Sequence, residues 1–370
     1  MQHHGTQRTH VMSKRIAIIG GGNLGAELAK SLEGAAEVTL IEQNSHFVQA
    51  PAMIRAVVDP SVLETALIPY DNLLTQGKIV QARASSVDET GVTLEDGSRI
   101  EADYIVVATG SSNAIPFKPT STGIEGLRSD SARIHTMLTQ ANSVAIVGAG
   151  AVGTELAGEI AHFMPEKSVT LISSDTSLFP TMPKALGRGL MGKLKAAGVN
   201  VITGARAENL ESLTQPYKGT LKLSNASEVT ADLIFPVIGS RATSGLLEQL
   251  PETVKSNANR VKTDPWMRPS SLPNVFAAGD IADNGDAMTI VAISRQTPWL
   301  AKLLTSLVNG GKVEDTKPYK PWGKAPILVP LGPNKGNSFL LLFTAGNFLT
   351  SRIKGRDLFR SKYNKLFNRS

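Results

Sequence analysis

Two stretches of this sequence have the residues needed to hold phosphate. Ile16–Ala26 reads IAIIGGGNLGA and Val144–Thr154 reads VAIVGAGAVGT. Each is an apolar run that leads into G-x-G-x-x-G: Gly20, Gly22 and Gly25 in the first, Gly148, Gly150 and Gly153 in the second. A strand that enters such a loop and leaves as a helix presents backbone N–H groups and the positive end of the helix dipole to a pyrophosphate. Gly21, Asn23 and Leu24 complete the first loop, and Val152 opens the second helix. One copy implies one dinucleotide. Two copies imply two different dinucleotides facing each other, the arrangement in which a nicotinamide hands hydride to a flavin.

The surrounding pattern supplies the elements that position these loops. Residues 14–42 read as β–α–β, with a strand to Gly20, a helix from Asn23 to Leu32 and a strand ending at Glu42. Glu42 lies 17 residues after Gly25, which suits a carboxylate accepting from ribose hydroxyls. Strands are expected at Lys78–Ala84, Val92–Leu94 and Tyr104–Thr109, with a turn at Glu95-Asp96-Gly97 and a small-residue turn at Thr109-Gly110. Pro116–Thr122 reads as a linker. The second β–α–β runs from Ser143 to about Ser173, followed by a helix over Lys184–Ala197, a hairpin at Leu221–Val229 and a strand running to Ile238 before Gly239. Its second strand ends in Ser173-Ser174, so no acid is set there to repel a 2′-phosphate. Lys184 and Arg188 are candidate partners for one, although an exposed helix face is the simpler reading. A strand then stops at Gly279-Asp280. A helix from about Thr289 to Asn309 follows, and Pro298 within it predicts a kink or an early break. Ile327–Leu331 and Ser338–Phe343 read as a hairpin, and the tail from Asn347 as helical and basic.

Composition excludes several chemistries. The 370 residues include no cysteine, so a dithiol relay, a flavin–thiol adduct and cysteine-ligated zinc or iron–sulfur sites are out. No metal site is assigned: His3, His4 and His10 fall in a loose N-terminal tail, residues 1–13. That tail has no apolar core of a secretory signal and no glycine after Met1. No apolar run is long enough to span a membrane. The net charge of +6 resides in the C-terminal segment. Arg352, Lys354, Arg356, Arg360, Lys362, Lys365 and Arg369 face one acid, Asp357, and the remainder is balanced. Such a tail suits an anionic surface.

The double nucleotide fold, the A-T-G at 108–110 and the late Gly279-Asp280 resemble the two-dinucleotide flavin oxidoreductases, the pyridine nucleotide-disulfide superfamily. Type II NADH dehydrogenases, ferredoxin-type reductases and relatives of apoptosis-inducing factor share that plan. Met288, Tyr319-Lys320-Pro321 and Lys354-Gly355-Arg356-Asp357-Leu358-Phe359 resemble its ferroptosis-suppressor branch. The resemblance implies FAD as resident cofactor, NAD(P)H as donor and a membrane quinone as acceptor. It implies that Gly20–Gly25 hold the FAD pyrophosphate and Glu42 the adenosine ribose. Arg55 would lie beside the flavin phosphates, Ala84 would meet adenine and Asp280 would accept from the ribityl chain. Glu155 would orient the nicotinamide. Glu155, Lys354 and Phe359 form the expected catalytic group.

The expected fold class is α/β: two Rossmann-like domains and a small C-terminal α+β segment. Residues 14–120 and 247–315 would bind FAD, 121–246 would bind NAD(P)H, and 316–370 would form a hairpin and basic helix. The segment would wall a quinone tunnel with Phe343, Phe348, Leu358 and Phe359, while Lys354 and Arg356 grip headgroups or the quinone carbonyl. The expected enzyme is a cytoplasmic NAD(P)H:quinone oxidoreductase, peripheral on a membrane, with a homodimer left open. The alternatives are a soluble reductase of a small redox protein and a flavin-bearing nucleic-acid-binding protein. No nucleic acid is expected, because the tail carries no reading module.

Overall fold

The computed structural model describes residues 13–120 and 122–369. The expected tail, with its three histidines, lies outside the described residues except for Ser13. Two parallel sheets dominate. In the first, the strand order is Val275–Ala277, Tyr104–Val107, Arg15–Ile19, Glu37–Glu42, Lys78–Gln81, all parallel. In the second, the order is Asn200–Ile202, Ser168–Ile172, Ser143–Val147, Glu228–Pro236, Tyr217–Lys222, with only the last antiparallel. The core strands RIAII and SVAIV are apolar at nearly every position because a parallel sheet is covered on both faces.

The two folds repeat one register. Arg15 pairs with Glu37 and Ile19 with Ile41, as Ser143 pairs with Ser168 and Val147 with Ile172. Between the paired strands run α1 (Asn23–Leu32) and, in the second fold, a helix over Ala151–Phe163. In α1, Leu24, Leu28 and Leu32 recur every four residues and form one buried stripe. Next come α2 (Ala50–Ala56), a short helix with a proline in its first turn, and α3 (Gly123–Gln140). The Ala151–Phe163 helix is α4 and Lys184–Ala196 is α5.

The first fold is interrupted. After Tyr104–Val107 the chain crosses into the second sheet, and Ser111–Ser112 pairs antiparallel with Arg241–Ala242 at the crossing. It returns as Val275–Ala277 and then α6 (Ile290–Val308), whose Ile293, Leu300, Leu303, Leu304 and Leu307 join α1 in one core.

Four expectations change. Lys78–Ala84 is not one strand. It ends at Gln81, and Ala84–Asp88 begins a separate antiparallel meander with Gly91–Leu94 and Arg99–Glu101. Pro298 does not end α6, which runs on to Val308. The carbonyl that loses its partner, that of Ser294, belongs to an exposed residue and is free to meet water. Pro116–Thr122 is a linker only in part, since its Phe117 is buried in the second fold's core. The C-terminal tail is not one helix. Asn347–Thr350, a wide turn at Ser351–Gly355 and α7 (Arg360–Leu366) are separated by Leu358 and Phe359, both left-handed at φ 53° and 64°.

Glu33, just after α1, ties that helix to the loop before Lys78. Its carboxylate accepts from the Gln76 N–H at 2.6 Å, from the Thr75 N–H and from Lys30 Nζ at 3.1 Å. Burial alone would raise its pKa, but these donors outweigh burial and bring it from 4.5 down to about 2. A depressed carboxylate stabilises the fold above its unfolded pKa and loses that contribution as pH falls through its folded one. Glu33→Gln should therefore be less stable than the parent at neutral pH, with the gap closing as pH drops from 4.5 toward about 2. Denaturant titrations across that range measure it, and a gap independent of pH would refute the account.

Candidate functional site

The first glycine loop is shaped by a contact that admits no side chain. Gly20 has φ 101°, and a Cβ on Gly25 would lie 1.8 Å from the Gly20 carbonyl oxygen. The second loop repeats this. Gly148 has φ 110°, and a Cβ on Gly153 would lie 1.9 Å from the Gly148 oxygen. Gly22 and Gly150 cap α1 and α4 with no side-chain hydrogen bond, so the first-turn N–H groups are left for a ligand. Two tyrosines hold the first loop. Tyr70 donates to the Gly21 carbonyl at 2.7 Å and Tyr363, from α7, donates to Asn23 Oδ1. Glu42 accepts the Gly21 N–H at 2.6 Å and both the backbone N–H and side-chain amide of Asn44 at 2.8 Å.

This loop opens into a cleft of about 770 Å³, ample for a dinucleotide. Gly20, Gly22, Asn23, Leu24, Glu42, Ala84, Thr109, Gly110 and Asp280 all line it. Asp280 projects from the turn after Val275–Ala277. The Gly279 N–H of that turn donates to Gln296 Oε1 at 2.8 Å, and Gln296 donates to buried Asp286 at 3.0 Å. Asp286 also accepts the Tyr319 hydroxyl and, at 2.9 Å, the Trp322 N–H. Tyr319 therefore braces the Asp280 turn from the C-terminal segment.

Sequence reasoning missed Lys118 and Ser111. Ser111 Oγ donates to Asp280 Oδ2 at 2.6 Å. Lys118 Nζ donates to Ser111 O at 2.8 Å and to its Oγ at 2.7 Å, and lies 3.6 Å from Asp280. Burial pushes the Lys118 pKa down while Asp280 opposes the shift. The only sequence signal was a lysine inside a proline-rich turn, which reads as solvent-exposed.

The second loop stands apart from this cleft. Glu155, one turn into α4, is 3% exposed. Burial raises its pKa, and Lys354 draws it back with Nζ 2.6 Å from Oε1. Gly239 ends its strand-to-loop turn at φ 115° with open space around it. Val152 packs on the second core. Glu155 and Lys354 are thus brought together, but Lys354 is not free to grip headgroups. Leu358 is buried beneath α2, and Phe359 is half-buried on the first fold's core, so neither offers an outward apolar contact. Arg55 also departs from expectation. It does not line the cleft but is buried and bidentate to Glu159, at 3.0 and 2.8 Å. Lys184 and Arg188 lie exposed on α5, as a solvated face would.

Family models for pyridine nucleotide-disulphide oxidoreductases match residues 15–97 and 68–297. The chain belongs to that family. It is an NAD(P)H-dependent flavin oxidoreductase, and FAD and NAD(P)H are its cofactors. With no cysteine, it carries no thiol for the disulphide chemistry in the family's name. Apoptosis-inducing factor homolog B of Dictyostelium discoideum is 30% identical, over 95% of this chain and 96% of that protein. Ferroptosis suppressor protein 1 of Homo sapiens is 26% identical, over 94% of each. The fold is that of the sulfide:quinone oxidoreductase of Aquifex aeolicus (TM-score 0.77, 17% identity, 96% of this chain and 92% of that one). It is also that of Plasmodium falciparum NDH2 in its complex with NADH (TM-score 0.72, 14% identity, 97% and 99%).

Charge-assisted contacts are worth about 1.5–3 kcal/mol. Lys118→Met leaves Asp280 without its cation, and FAD affinity should fall roughly ten- to a hundredfold. Absorbance of FAD retained after gel filtration, and titration of the stripped protein, measure it. Unchanged affinity would remove Lys118 from the flavin site.

Proposed function

We propose that this protein is an NAD(P)H:quinone oxidoreductase working at a membrane surface. The observation that carries the reading is an apolar, acid-free face on the C-terminal segment. Strands Ile327–Leu331 and Lys335–Phe339 form a hairpin, completed by Thr344–Ala345. Between the last two, Leu341, Leu342 and Phe343 point into solvent, followed by Phe348 and Ile353. Leu342 is 93% and Phe348 74% exposed. Exposed apolar groups gathered in one place mark an interaction surface. Beside them a hollow of about 350 Å³ is lined by Asn334, Asn347, Phe348, Ser351, Arg352 and Arg356. From Thr316 to Arg356 there is no acidic residue. Apolar tips under a cationic rim match the boundary between acyl chains and anionic headgroups, where each cation contributes about 1 kcal/mol. No helix among the described residues is long and apolar enough to cross a membrane, so the attachment is peripheral. A quinone acceptor is supported by the fold shared with the sulfide:quinone oxidoreductase of Aquifex aeolicus.

In this reading residues 14–120 and 247–315 bind FAD, 121–246 bind NAD(P)H and 316–370 form the membrane-facing segment. FAD, when bound, supplies the two-electron acceptor and donor. The first-turn N–H groups of α1 hold its pyrophosphate, Glu42 its ribose and Asp280, with Lys118, the linking chain. The α4 loop from Gly148 to Gly153 holds the donor's pyrophosphate. The Glu155–Lys354 pair, shielded from water, orients the nicotinamide end. Orientation and exclusion of water are the protein's share of the rate. Because Ser173 replaces an acid at the strand end, NADPH is accepted as well as NADH.

The purified protein should be yellow, bleach with either NADH or NADPH, and recover its colour when a short-chain quinone is added without oxygen. A coloured protein indifferent to both donors would overturn the reading. The parent should float with anionic vesicles at low salt. Leu342→Ser/Phe348→Ser should abolish flotation at all salt concentrations, and Arg352→Gln/Arg356→Gln should remove only the salt-sensitive part. If the parent fails to bind such vesicles, the membrane claim falls while short-chain quinone reduction stands.

A further inference from the structure

Arg55 lies outside the cleft yet is only 6% exposed, and its fixed geometry needs a reason. Three of its N–H groups are committed. Two go to Glu159, and Nη2 also donates to the carbonyl of Gly355 at 2.7 Å. Glu159 lies one helical turn beyond Glu155, so both carboxylates sit on the same face of α4. Gly355 follows Lys354, whose Nζ reaches Glu155 at 2.6 Å. Two adjacent residues of the C-terminal segment are therefore bound to two adjacent turns of α4, one directly and one through Arg55. From the other side, a Cβ on Gly355 would lie 2.7 Å from the Pro333 carbonyl oxygen, so this residue is enclosed on both sides. The start of α2 makes a second hold, because Gln49, fully buried, donates its side-chain amide to the Leu358 carbonyl.

We infer that Arg55 is a positioning residue: anchored by Glu159, it holds the Gly355 carbonyl and so fixes the approach of the Lys354 ammonium to Glu155. The inference rests on the proposed role of Glu155 and Lys354 at the nicotinamide end. A lysine stem has four rotatable bonds, and beyond Glu155 the Lys354 Nζ reaches the Leu328 carbonyl at a long 3.3 Å, whereas the backbone at Gly355 is held by a rigid fork. Displacements of about 1 Å in such a group can cost about a hundredfold in rate. The assignment also explains the arginine. Lysine at 55 could not bind a carboxylate in bidentate fashion and a carbonyl at the same time.

Removing one member of a buried pair leaves an unpaired charge, so the test removes both. Arg55→Met/Glu159→Met, with FAD loaded, should keep its flavin absorbance and FAD affinity while the rate of flavin bleaching by NAD(P)H falls about tenfold or more. Lys354→Met should show a loss of the same kind. Combining the two should bring no further loss, because Arg55 acts through Lys354. Arg55→Lys should not rescue the rate. Gly355→Ala, which leaves every charge in place, should slow bleaching and become silent in the Lys354→Met background. It carries the test if the charge-free pair does not fold. Additive losses, or a parental rate in the charge-free pair or in Gly355→Ala, would overturn the assignment. A parental rate in Lys354→Met would overturn the underlying role of Glu155 and Lys354, and the assignment with it.

Discussion

A carbonyl oxygen pressed against a helix is the constraint on which both nucleotide sites depend. At Gly25 against Gly20, and again at Gly153 against Gly148, the helix meets the loop at a distance that a single methyl group would prevent. That closeness turns the first-turn N–H groups of α1 and α4 toward the loop and keeps them free of side-chain caps. Everything chemical in the molecule is arranged around these two helix ends. The cleft opens from the first, and the buried Glu155 sits one turn inside the second.

What the chain adds to this duplicated plan is a set of long-range braces. Tyr363 reaches Asn23, Tyr319 reaches Asp286 behind the Asp280 turn, Lys354 reaches Glu155 and Gly355 meets Arg55. All four begin in the last fifty or so residues. The C-terminal segment therefore contacts both glycine folds while it presents Leu342 and Phe348 outward. One short stretch of chain faces both the nucleotides and the solvent.

Legibility in the sequence followed the range of the interaction. The glycine loops, the apolar parallel strands and the alternation of β and α are local patterns, and they could be read because steric need and periodicity act over a few residues. Glu155 and Lys354 were picked out by resemblance, but their contact was not, since nothing local joins α4 to residue 354. Lys118 was lost for the same reason: it is a turn residue until Asp280 is folded beside it. Resemblance alone places Arg55 beside the phosphates, and nothing local reveals its buried partner, which lies in the other fold. The tail read as one helix because its residue types allow it. Two consecutive left-handed residues, at about 1–2 kcal/mol each, are held there only by tertiary contacts such as the Gln49 amide on Leu358. Of the kink or early break that Pro298 predicts, the break is absent, and the carbonyl it deprives belongs to the exposed Ser294.

The interrupted first sheet sets an order on biosynthesis. Every strand of the second sheet lies between Ser143 and Pro236, so its full complement has left the ribosome while the first sheet still lacks the edge strand Val275–Ala277. The first fold then waits for α6, and its glycine loop waits for Tyr363. The half that reads earliest in the sequence is thus finished last, and a chain that stops short leaves the first loop without one of its two tyrosine contacts.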